Sequence, residues 1–186
     1  MNQPLENGWS MRQPLTARPC GFPAASILAP RAASASFRDA WEVPLRQPEA
    51  EVVSLFAAIF GHRPRWMQRV MLARNRVAAL AGLEVPSDAE ITRPTFHASY
   101  QVGQKIGAWP IHHLSPTELV AGRDNTHLDF RVSVLKQLRD GEARLVISTL
   151  CHKHNGFGAV YLRLVAPFHR LGMRLLLNRA AAAGRL

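Results

Sequence analysis

Cysteine is scarce: Cys20 and Cys151 are the only two in 186 residues. Two such distant thiols form no disulfide framework, and a reducing, cytoplasmic setting is the expectation. No apolar run approaches the ~20 residues a membrane-crossing helix needs. The first residues lack a basic segment followed by a sustained apolar core, so no secretory leader is expected. A glycine-rich dinucleotide fingerprint is missing, as are internal repeats and low-complexity tracts; no cofactor is therefore expected. Acidic residues are also short, 13 against 23 Lys and Arg, which leaves a formal charge of +10. That surplus invites a nucleic-acid or anionic-membrane reading. The arginines are scattered, however, with no Lys/Arg run and no aromatic-flanked basic stripe. Charge alone supplies attraction without recognition, so nucleic acid is not the expected partner. A solvated arginine-rich surface, or one for a partner protein, accounts for the charge.

What is present is a chain that is 47% hydrophobic and 19% charged, the balance of a globular domain with a proper core. Residues 1–35 contain Pro4, Pro14, Pro19, Pro23 and Pro30 with little periodicity, and read as a flexible tail. Met11 is a second candidate start. One domain then spans 36–186. Phe37 to Leu45 alternates as a strand, with Pro44 placing it at an edge or end. Pro48 is positioned to open a helix whose stripe is Val52, Leu55, Phe56, Ile59 and Phe60, stopped by Gly61. A second helix is expected from Arg65 to Ala81, burying Trp66, Val70, Ala73, Val77 and Leu80 and ended by Gly82. Short strands follow at Thr95–Tyr100, at Lys105–His113 with interruptions at Gly107 and Pro110, and at Thr117–Gly122.

The organising element is a long hairpin reversed at Asp140-Gly141, a strong signal for a two-residue loop. That turn opposes Arg139 to Glu142 and fixes the register. Phe130, Val132 and Val134 then share one face with Cys151, Thr149 and Ile147. The other face gathers His127, Asp129, Arg131, His152 and His154 at one end. From Phe157 the spacing is helical again, with Val160, Leu164, Phe168, Leu171 and Leu175 as the expected buried stripe. Pro167 lies inside this helix and predicts a kink.

The fold class this order implies is α+β: a curved antiparallel sheet wrapped around a long C-terminal helix, with a helix pair after the first strand. It is similar to the helix-grip arrangement of START and Bet v 1-like proteins. Several strings carry a closer resemblance: Val102-Gly103, Ile106-Gly107-Ala108-Trp109, Glu118-Leu119 and His127-Leu128-Asp129-Phe130-Arg131. Thr149, His152, His154-Asn155, Gly158, Tyr161-Leu162 and Pro167-Phe168-His169-Arg170 extend it. Over about Phe37 to Ala180 the chain resembles a bacterial family known only as domain of unknown function 2867. Members of that family occur alone or attached to a nucleotide-binding reductase-like domain, which implies a separate reductase-like partner here. The family carries no assigned activity.

Two sites follow as expectations. A cavity between sheet and helix would be lined by Phe96, Tyr100, Phe130, Val132, Ile147, Thr149, Leu164, Phe168 and His169, and would take an apolar small molecule. His169 and Arg170 could gate it or clamp an anion. The second is the polar hairpin end, where Asp129 could orient His152 as a base beside Arg131 in an enzyme of the cyclase, hydrolase or isomerase kind. His127, His152 and His154 with Asp129 could instead approach a metal, though their spacing matches no metal signature.

Overall fold

The computed structural model describes residues 16–80 and 85–186. Its elements are β1 (Arg18–Pro19), α1 (Ala29–Ala32), β2 (Phe37–Pro44), α2 (Val52–Phe60), α3 (Arg65–Leu80) and α4 (Asp88–Thr92). They continue with β3 (Lys105–Ile106), β4 (Trp109–Leu114), β5 (Glu118–Asp124), β6 (Leu128–Arg139), β7 (Glu142–Lys153) and α5 (Gly156–Ala182). The strands form one open antiparallel sheet in the order β1-β2-β7-β6-β5-β4-β3, an α+β architecture with the long helix across its concave face.

The hairpin takes the register its turn requires. Asp140 and Gly141 both have positive φ, 53° and 78°, the conformation of a two-residue loop whose twist matches that of the strands. Arg139 faces Glu142, and the ladder runs unbroken to Leu128 opposite Lys153. β2 then pairs along β7 from Phe37↔Cys151 to Pro44↔Arg144, so proline stands at the strand's end.

On the concave face Val43, Val132, Val134, Leu145 and Ile147 pack against Leu55, Phe56 and Ile59 of α2 and against Met173, Leu176, Leu177 and Ala180 of α5. Leu55, Phe56, Ile59 and Leu177 are all but inaccessible, and each such side chain contributes about 1.5–3 kcal/mol by leaving water. Only the C-terminal half of α5 is gripped in this way.

Several local expectations change. Residues 81–84 and 1–15 lie outside the described part, and with them the expected helix stop at Ala81-Gly82, Pro4, Pro14 and Met11. From Thr16 onward the segment read as a tail is ordered against the sheet. β1 pairs with β2, and Leu28 and Ala32 bury Val120 and Leu150 on the convex face. Pro48 sits in a turn, and α2 begins four residues later. Thr95–Tyr100 is not a strand; the expected interruption of Lys105–His113 at Gly107 separates β3 from β4, whereas Pro110 lies within β4. Ser87 caps α4 with a reciprocal Ser87–Glu90 capping box.

Both long helices turn a different face inward from the one expected. On α3 the core side holds Met67 and Ala78, while Trp66, Val70 and Val77 are exposed. On α5 the expected stripe is outside: Leu164 is 65% and Phe168 73% accessible, and Val160 and Leu171 are exposed too. Each helix carries two apolar stripes, and periodicity cannot rank them. Packing selects the one with small residues where the backbone must come close, such as Gly158 and Ala180.

Candidate functional site

At the polar hairpin end the side chains of Asp129, Arg131 and His152 make no hydrogen bond or ion pair with one another. Asp129, Arg131 and His152 share the face of the sheet opposite the α2–α5 core. Asp129 pairs with His154, 3.0 Å from Oδ1 to Nε2, rather than with His152. Arg131 is buried and bonded to Asp124 at 2.5 Å, and its hydrogen bond holds the Asp124 carboxyl below the ordinary range against the opposing effect of burial. His127 bonds Asn155 at 2.8 Å and leans on Phe157. The group closes the hairpin end and seats the start of α5. Among the described residues no three His, Cys, Asp or Glu side chains are placed to hold a metal ion.

The opposite, concave face at the same sheet end is different. Register brings Phe37, Asp39, Cys151, Thr149, Phe130, Val132 and Arg123 onto one side there. Val132 and Ile147 belong to the filled core. Beyond them the lining turns aromatic and polar. Trp109 meets Phe130 edge-on at 5.5 Å between centroids, and Arg63 lies 5.9 Å over the Trp109 ring. Arg123 donates to the Ala108 carbonyl at 3.0 Å. Arg74, from α3, stands over Tyr161 of α5 and hydrogen-bonds its hydroxyl. Burial draws the Arg63 guanidinium down to about 10. Burial, then the Arg123 charge, lowers that of Arg74. Among the described residues none of these guanidiniums has a carboxylate partner. Thr149 Oγ1 is buried with no hydrogen-bond partner.

His169 reaches this face from α5. Its Nε2 lies 3.3 Å from Asp39 Oδ1, and its ring meets Phe37 edge-on. Arg170 caps Phe37 from above at 5.4 Å. Phe96 packs beside the main core, and Tyr100 is buried, its hydroxyl accepting from the His97 amide at 2.8 Å. Tyr100 also borders a separate cleft of about 460 Å³ with His97, Ser99, Gln104 and Lys105. Leu164 and Phe168 line nothing inside. Asp39, Arg63, Arg74, Trp109 and Arg123 were not foreseen. Alternation along β2 could have put Asp39 on the face of Trp41, but the arginines meet only through tertiary packing.

Cys151 gives a direct check on this interior. Burial, then the Asp39 charge, pushes its thiol up to about 12. At pH 8 its iodoacetamide alkylation, read by peptide mass spectrometry, is expected to be at least ~100-fold slower in native than in denatured protein, because the thiolate is the nucleophile. Comparable rates in the two states would show that water reaches this end of the sheet freely.

A curved antiparallel sheet gripping one long helix, with a cluster of aromatic and arginine side chains at its open end, defines a helix-grip-like α+β domain. The chain belongs to the family described as protein of unknown function (DUF2867), whose sequence profile matches residues 31–175. No curated protein shows significant similarity to it.

Proposed function

We propose that the protein is a small-molecule-binding or accessory domain, without catalysis of its own, whose ligand has an apolar body and an anionic head. The observation that carries this is the cluster of aromatic rings and arginine heads at the concave sheet end. Trp109, Phe130 and Tyr161 offer aromatic surface there. The heads of Arg63, Arg74 and Arg123 sit above it without carboxylates. Arg63 is half-buried, and burial disfavours its charge; an arriving carboxylate or phosphate would offset that with charge-assisted hydrogen bonds, joined by the heads of the exposed Arg74 and of Arg123. Thr149 Oγ1 is a further polar atom without a partner on the same sheet face. The purely apolar ligand expected from the sequence fits this lining less well than an amphiphilic acid.

The fluorescent fatty acid cis-parinaric acid is a suitable probe. Saturable binding is expected, weakened about tenfold by Arg123→Gln and by Arg63→Gln, since a charge-assisted hydrogen bond contributes about 1.5–3 kcal/mol. Native mass spectrometry of gently purified protein should also show a retained organic acid. Equal affinity in both variants and the parent would remove the arginines from the reading. No binding of any acid would remove the ligand altogether.

A further inference from the structure

The apolar stripes that the core leaves unused come to lie side by side. α3 and α5 are antiparallel neighbours: a methyl placed on Gly172 would stand 3.9 Å from Met67 Cε, and one end along, Arg74 covers Tyr161 at 5.1 Å. Trp66, Val70 and Val77 are exposed on α3; Val160, Leu164, Phe168 and Leu171 are exposed on α5. At roughly 100° per residue, each stripe falls between the neighbouring helix and a row of arginines. Arg65, Arg69 and Arg76 border the stripe of α3 on its far side, and Arg163 and Arg174 border that of α5. Both stripes therefore look away from the sheet and join into one apolar strip with a basic margin along each edge.

The charge pattern around it is one-sided. No Asp or Glu occurs between Glu51 and Glu84 or after Glu142, so neither helix has an acidic side chain. Among the described residues these five arginines make no ion pair. An exposed strip of this length, with aromatic side chains and basic edges, is the pattern of a surface that lies in a lipid interface.

We infer that the α3–α5 face is a peripheral docking surface for an anionic lipid bilayer. The apolar strip enters the headgroup–acyl boundary, and the arginine margins, their stems on apolar surface and heads at the phosphates, hold the domain in plane. A second copy of the chain is disfavoured, because two-fold pairing would bring arginine margin onto arginine margin with no acid to meet them. Nucleic acid would use the charge and leave the large apolar side chains without a purpose. Among the described residues no helix is long and apolar enough to cross a membrane, so attachment is along the surface.

The test uses the full chain with vesicles of pure phosphatidylcholine and of phosphatidylcholine mixed with phosphatidylglycerol. Partition onto the anionic vesicles is expected to exceed that onto neutral ones by at least ~tenfold and to fall as salt rises. Leu164→Asp with Phe168→Asp should lower it ~tenfold or more, as should Arg163→Gln with Arg174→Gln. These side chains are outside the core, so the thermal midpoint should stay put, and cis-parinaric acid binding should be unchanged, which separates this surface from the proposed ligand site. Equal partition onto both vesicle types, no partition onto either, or variants that partition like the parent would overturn the proposal. So would a stable dimer that Phe168→Asp dissociates, which would give the face to a second copy.

Discussion

Alanine at Gly158 is expected to destabilise the protein by about 3 kcal/mol or more, an unusually large effect for one methyl group. The added carbon would stand 2.2 Å from the His127 carbonyl oxygen and 3.1 Å from its carbon. Both are backbone atoms, so no side-chain rotation relieves the overlap. That carbonyl is also committed: it accepts from the His154 amide at 2.9 Å, the last cross-strand bond of the hairpin. Asn155 caps α5 in the same place, its Oδ1 accepting from the Gly158 amide at 3.0 Å. The helix start and the hairpin end must therefore separate together. Urea unfolding measures the loss directly. A Gly158→Ala protein within about 1 kcal/mol of the parent would mean that α5 does not touch the hairpin as described.

Glu118→Ala should be of similar size for an opposite reason: it removes an acceptor and adds no bulk. Glu118 is 4% accessible. Its Oε1 accepts from the hydroxyls of Ser26 and Ser133, both at 2.5 Å, and its Oε2 accepts from the Ile27 amide at 2.9 Å. Truncation leaves these donors in the interior without a partner, at about 1–3 kcal/mol for each buried one. The expected total is about 4 kcal/mol. Because Ser26 and Ile27 belong to the segment that covers the convex face, local release should accompany the global loss. Limited proteolysis should cut between Gly21 and Ser36 in the variant and spare that segment in the parent. Glu118→Gln keeps one good acceptor and should retain about half the stability lost by alanine. An alanine variant with unchanged urea midpoint and an uncut segment would contradict this account.

The carboxylate also shows why the order of residues 16–35 is not legible in the sequence. Five prolines and weak periodicity in 1–35 offer little local reason to order. Order from Thr16 on comes from a carboxylate ninety residues away and from Val120 and Leu150 on the sheet. No window of sequence contains both partners. The same limit applies to the arginine–aromatic cluster: Arg63, Arg74, Arg123 and Tyr161 come from four separate elements or loops, and only packing gathers them.

Local chemistry, by contrast, was enough for the hairpin. Side chains alternate with period two, and a turn needing positive φ at two successive residues admits Asp140-Gly141 and few other pairs. Register, the sharing of faces and the α+β order all follow from interactions within a few residues or directly across that turn. The choice of inward face on α3 and α5 lay beyond such reasoning. Each helix presents two apolar stripes of comparable strength, and the free energy that separates them arises only where Met67, Gly172, Leu177 and Ala180 meet a particular neighbour at a particular distance. Periodicity marks what a helix is able to bury; the shape of the sheet and of α2 decides what it does bury, and so decides which stripe is left facing outward.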